Sequence, residues 1–268
     1  MVIRSSLVSF LFTVILTLLP SVAASQEEGP MPMTWFRMVK TKPGAGPNFE
    51  KTFEKYEQPL LDRLVADGTA LGWGLGFELV GPGGFDYLVW VNALGWAGIG
   101  EVQAVFDARR ENMSEGELGK MTEDWMAVIE PGEEPSQVLR HVVVDGNPDV
   151  QPNYLHMSYH TAKPGNSDDL IKIYRSFSVP VYAGLLETGV ITAYGMVEQA
   201  VHSDSSFTHL AWIEFESLAD LDKVERAFAN TDAEVSEGDG VVRKLAFMGI
   251  VQPEAHYCRL IRKLKQGG

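Results

Sequence analysis

Imidazole is the side chain whose ordinary pKa lies closest to neutrality, so clustered histidines are the first candidates for proton transfer. The chain has six histidines, and five of them (His156, His160, His202, His209 and His256) fall in its second half, with His141 the exception. His156, Ser158 and His160 alternate along one strand-like run and therefore share a face. His209 lies in a later run expected to neighbour that strand. If it meets His156 or His160, the three make an acid/base group able to take a proton from an activated carbon or a phenol. Trp35, Arg37, Tyr87, Tyr159 and Trp212 are the side chains expected to orient a substrate. An interior Arg37 would demand a carboxylate, a water cluster or a ligand, because a buried unpaired cation is costly.

Other chemistries drop out quickly. His156 and His160 stand about 13 Å apart along a strand, too far for one transition-metal ion. There is no H-E-x-x-H and no cysteine pair, so no metal is expected. Gly72-Trp73-Gly74-Leu75-Gly76 lacks the spacing of a nucleotide loop and reads as small residues where a strand passes a bulky neighbour. No G-x-S-x-G occurs, and Cys258 has no evident activating partner.

The elements that must position these residues are written twice. Lys42-Pro43-Gly44 recurs as Lys163-Pro164-Gly165, an offset of 121 that also maps Phe53 to Tyr174, Pro59 to Pro180, Gly68 to Gly189 and Gly74 to Gly195. After one inserted residue the offset is 122, mapping Trp90 to Trp212, Phe106 to Phe228, Met126 to Met248 and Pro131 to Pro253. Each copy reads strand, turn, amphipathic helix, two strands joined by a hairpin, helices, and a last strand. Gly68 and Gly189 are expected to end the first helix of each copy. Pro59 and Pro180 fall inside those helices and imply a kink. A short helix is expected near Val241–Ile250, and hairpin loops over Gly81–Gly84 and Ser203–Ser206.

The order β-α-β-β-α-β is the ferredoxin-like unit, an α+β arrangement whose open sheet face must be covered. Two tandem units can cover each other as an intrachain pseudo-dimeric α/β barrel with its helices outside. The first strand is central in each unit, and its Arg37 or His156/His160 face is expected to point into the barrel. Trp90 and Trp212 lie on the opposite face from Tyr87 and His209, and parity alone leaves open which pair lines the interior.

The stretches Lys-Pro-Gly, Tyr56-Glu57-Gln58-Pro59-Leu60-Leu61 and Asp67-Gly68-Thr69-Ala70-Leu71-Gly72-Trp73-Gly74, with the duplication, resemble the dimeric α/β-barrel superfamily, including antibiotic-biosynthesis-monooxygenase-like, stress-responsive A/B-barrel and NIPSNAP-like domains. That resemblance covers almost the whole chain after the N-terminal leader. It implies a small-molecule-binding protein, with a cofactor-free monooxygenase or isomerase acting on an apolar or aromatic compound as the leading reading. It also admits a haem protein with haem in the second repeat, as in chlorite-dismutase-like chains, or a non-enzymatic binding module. No cofactor is required by the first and third readings.

Composition bounds the setting. Of 268 residues, 22 are Lys or Arg and 36 are Asp or Glu, giving a formal charge of −14, which disfavours nucleic-acid and anionic-membrane partners. Arg4, the apolar run Leu7–Leu19 and the small residues Val22-Ala23-Ala24 read as a signal peptide cleaved after Ala24. The expected organisation is signal peptide 1–24, linker 25–32, first repeat 33–147 and second repeat 148–268, in an exported, periplasmic or secreted protein, monomeric or homodimeric. A single cysteine excludes an intrachain disulfide.

Overall fold

The computed structural model of the protein describes residues 30–132, 136–201, 207–234, 240 and 246–268. The leader and the hairpin loop at Ser203–Ser206 lie outside them, as does much of the Val241–Ile250 helix, of which 246–250 are helical.

The first repeat runs β1 (Pro32–Val39), α1 (Gly46–Tyr56), α2 (Gln58–Ala66), β2 (Gly72–Val80), β3 (Tyr87–Leu94), α3 (Gly95–Glu111), α4 (Glu115–Val128) and β4 (Ser136–Gly146). The second runs β5 (Tyr154–His160), α5 (Ser167–Ile173), a π-helical turn (Tyr174–Ser178), α6 (Val179–Glu187), β6 (Ala193–Gln199), β7 (His209–Phe215), α7 (Ala219–Glu234) and β8 (Tyr257–Gly267). Within each repeat the antiparallel order is the ferredoxin one, β4-β1-β3-β2 and β8-β5-β7-β6. The edge strands then pair across the repeats, β2 with β8 and β4 with β6, closing one eight-stranded barrel. Among the described residues, closure leaves no edge strand of either repeat unpaired.

The duplication is visible in single bonds. Lys42 Nζ donates to the Met126 carbonyl at 2.6 Å and Lys163 Nζ to the Met248 carbonyl at 3.1 Å. Bridges Thr41↔Ile129 and Ala162↔Val251 repeat the same closure. Gly68 and Gly189, at φ 80° and 69°, follow α2 and α6 in the left-handed region where a Cβ is penalised.

The two prolines are accommodated differently. In the first repeat the helix breaks at Glu57, and Pro59 enters the first turn of α2, where its missing N–H has no helical partner to lose. In the second repeat the helix widens into the π-helical turn before Pro180 enters the first turn of α6.

Three packed regions result. The lumen is filled from both repeats by Phe36, Leu88, Trp90, Leu139, Leu155, Met157, Tyr159, Val197, Leu210 and Ile261. Outside it, each sheet packs on its own helices: Val39, Trp73, Leu75 and Val89 against Phe49, Phe53, Leu61 and Leu64, and Tyr194, Ile213 and Phe215 against Leu185 and Val224. The Arg37 and His156/His160 faces therefore look outward at the helical layers, opposite to the orientation expected from the sequence. The alternation was right and the side reversed. A narrow lumen filled from both repeats takes the apolar positions of β1 and β5, while charge and imidazole sit where helix side chains can answer them.

Candidate functional site

The residues singled out in the sequence divide among three places. Trp35 and Arg37 line a small cavity of about 70 Å³ between the first sheet and its helices, with Glu57, Phe106 and Arg110. Arg37 is answered by a carboxylate: its Nη2 lies 2.5 Å from Glu57 Oε2, at the break between α1 and α2. Tyr87 is on the same side of the sheet and donates to Glu50 Oε1 at 3.0 Å, and burial pushes its phenol above the ordinary range.

The second place is the outer face of the second sheet. His160 and His209 are direct cross-strand partners there, and Ser158 faces Cys258 on β8. Ser158 Oγ lies 3.1 Å from His160 Nε2 and 3.0 Å from His256 Nε2. The two rings stack with centroids 4.9 Å apart, and Phe247 meets His160 edge-on at 5.7 Å. One hydroxyl hydrogen cannot serve two bare nitrogens. At least one ring must carry its proton on Nε2 and donate to Ser158; with Ser158 donating to the other, His160, Ser158 and His256 form a hydrogen-bonded chain along which a proton can pass.

Burial, with smaller contributions from neighbouring His256 and His209, lowers the His160 pKa to about 4, and burial alone lowers His209 to about 4. Both are neutral at pH 7. His209 Nδ1 is 2.8 Å from Thr208 Oγ1, and its Nε2 is buried with no partner among the described residues. His156, on the same face, is shifted down by burial and then by His256, against a small opposing pull from Glu225. Thus His156, His160 and His209 share one face. His256 was not singled out, although β8 is the ferredoxin neighbour of β5 and its register could have placed it.

Tyr159 and Trp212 occupy the third place, the lumen, toward opposite ends. Tyr159 packs with Phe207, Tyr257 and Arg259, whose guanidinium also lies 4.3 Å from the Phe85 ring centroid. Arg259 pairs with Glu78, both side chains 8% exposed, so this end is plugged. Trp212 lines the open end with Trp90, Asn92, His141 and Glu214, residues missed in the sequence reading apart from the tryptophan pair.

Among the described residues no group of three His, Cys, Asp or Glu side chains can hold a metal ion. Haem fits the histidine face poorly: His160 and His256 are engaged with each other and Ser158, and His209 is 1% exposed. No described helix is long and apolar enough to cross a membrane.

No family model matches the chain, and no curated protein matches its sequence. Solved structures share its fold. A proposed monooxygenase of Fusobacterium nucleatum superposes with a TM-score of 0.60 at 8% identity, covering 89% of this chain and 95% of that one. A second proposed monooxygenase, from Lactobacillus acidophilus, gives 0.56 at 8% identity over 88% and 96%. A mutant chlorite dismutase of Candidatus Nitrospira defluvii gives 0.50 at 10% identity over 88% and 92%. The fold is that of the dimeric α/β-barrel proteins, here closed within one chain.

Proposed function

We propose that the chain is an exported small-molecule-binding protein that acts on an apolar or aromatic compound, as a cofactor-free monooxygenase or isomerase, at the histidine face of its second sheet. The observation that carries this reading is the His160–Ser158–His256 hydrogen-bonded chain beside His209, with His160 and His209 held neutral by burial. Export rests on the leader-like residues 1–24.

The chemistry follows from the electrostatics. A proton placed on His160 stands beside His209 and His256 in a poorly solvated site, which is unfavourable unless an anion forms in contact with it. The face therefore favours transfer from a phenol or activated C–H whose conjugate base stays bound, and His156 and the aromatic residues of the covering helices would hold the ring. The bound anion is either reprotonated at another carbon or gives electrons to dioxygen, with the substrate itself as reductant.

The test is deuterium exchange at the activated carbon of a hydroxyaromatic or anthrone-type compound by NMR, run alongside oxygen uptake. The wild-type chain should exceed the buffer rate, and His160→Ala should lose about 10²- to 10⁴-fold, the usual worth of a general base. Neither exchange nor uptake above buffer would remove the reading, and a Soret band on reconstitution with haem would replace it.

A further inference from the structure

The open end of the barrel holds polar groups that the histidine face does not use. Thr34 Oγ1 donates to Asn92 Oδ1 at 2.6 Å and lies 2.7 Å from His141 Nε2. The threonine's one hydrogen is spent on Asn92, so His141 must donate from Nε2–H, which leaves Nδ1 a bare acceptor. That Nδ1 is buried and has no partner among the described residues. Burial lowers the His141 pKa to about 4, so the ring stays neutral.

Across the lumen, at the positions an offset of 122 from His141 and Asn92, stand Lys263 and Glu214, paired at 2.7 Å. Lys263 Nζ lies 5.4 Å from the Trp90 ring centroid. The same duplicated positions thus hold a neutral hydrogen-bonding set on one side and a self-compensated ion pair on the other. The lumen carries polar groups without net charge.

The space is continuous. An inner cavity of about 70 Å³, walled by Phe36, Leu155, Met157, Val197 and Leu210, shares Trp90, Asn92, His141, Trp212 and Glu214 with an outer mouth of about 540 Å³. Because Arg259 and Glu78 close the far end, the mouth is the entry among the described residues. The inner part is smaller than the roughly 150 Å³ that takes up a benzene ring, so a ring must rest at the junction with only a narrow substituent reaching inward.

We propose that the barrel lumen is a second binding site, for an uncharged single-ring aromatic molecule that donates one hydrogen bond to His141 Nδ1, rests against the indoles of Trp90 and Trp212, and sends a short apolar substituent into the inner cavity. An anionic ligand would find the lysine of the lumen, Lys263, already spent on Glu214. The site is separate from the outer face of the second sheet, and its occupation does not depend on turnover there.

The test uses 4-propylphenol, propylbenzene and 4-propylbenzoate as probes of tryptophan fluorescence in the intact chain, with Trp90→Phe and Trp212→Phe identifying the reporters. Propylphenol should bind saturably and about tenfold more tightly than propylbenzene, the worth of one hydrogen bond. Propylbenzoate should bind least. His141→Leu should abolish the preference for the hydroxyl while propylbenzene still binds, and Val197→Phe, which fills the inner wall, should weaken both probes at least tenfold. His160→Ala should leave all three affinities unchanged, which separates this site from the proposed reaction site. Circular dichroism and thermal unfolding check that each variant folds. If His141→Leu proves unfolded, the comparison passes to Thr34→Val, which frees Nε2–H of its acceptor and should likewise reduce the preference. The proposal is overturned if propylphenol quenches without saturation, if the preference survives in a folded His141→Leu, or if a folded Val197→Phe binds as the wild type does.

Discussion

His141 of the first repeat stands edge-on to Trp212 of the second, with ring centroids 6.3 Å apart. Its counterpart 122 residues on, Lys263, lies over Trp90 of the first repeat. Each indole is therefore covered by the last strand of the other repeat. The crossing exists because β4 pairs with β6 and β8 with β2, so the lumen is a product of the two seams and belongs to neither repeat alone.

The indoles also explain two glycines. A Cβ on Gly74 would lie 2.1 Å from Trp90 Cζ2, and one on Gly195 would lie 2.7 Å from Trp212 Cζ2 and 2.6 Å from the Val143 carbonyl oxygen. The indole at Gly74 can shift into the cavity, whereas the backbone at Gly195 is held by the β4–β6 seam. Gly195→Ala should cost about 1–3 kcal/mol by overpacking, and more than Gly74→Ala. Urea unfolding of both variants measures the difference, and equal midpoints would show that the seam yields.

At the plugged end, Arg259 and Glu78 are both buried and the guanidinium packs on Phe85, Tyr159 and Tyr257. Removing one partner strands a buried charge. Glu78→Leu should destabilise by about 3–5 kcal/mol, and the double change with Arg259→Met should recover much of that loss. A single variant no less stable than the double would mean that water reaches this end of the barrel.

Acid should loosen the fold in a defined window. Burial takes His141, His160 and His209 from the ordinary 6.5 to about 4 in the folded chain. Between about pH 4 and 6.5 the unfolded chain binds more protons than the folded one, so stability rises with pH there. The contribution is complete above about pH 6.5 and is lost as pH falls toward 4. Urea midpoints at pH 7, 6 and 5 should fall in that order, and less steeply in His209→Gln. A flat profile over those values would mean that the rings are solvated.

The repeat, the strand order and the paired helices were legible because apolar spacing, Lys-Pro-Gly turns and helix-ending glycines are local signals. The side each strand face would take was not. In β1 both faces carry enough apolar residues to line a core, and in β5 the apolar Leu155, Met157 and Tyr159 face could meet either the helices or the other repeat. Closure of both seams decides that Phe36 and Met157 turn inward while Arg37 and His160 turn to the helices. His141 was noticed only as the exception among the histidines. Its meaning lies in the offset that sets it against Lys263, where the two copies carry different residue types in equivalent places. Glu57 as the partner of Arg37 was hidden for another reason: the helix break that presents it depends on how Pro59 is accommodated.

The most direct check of the histidine face is a proton–nitrogen correlation spectrum of the imidazoles at pH 7, recorded while an electron-rich trihydroxybenzene is titrated in, with each ring assigned by its His→Gln variant. His160 should begin as a neutral ring, and its signals should shift together with those of His256 and His209 as the compound saturates. If those three rings keep their positions at saturating compound, or if His160 is already charged at pH 7, the relay does not receive the substrate's proton.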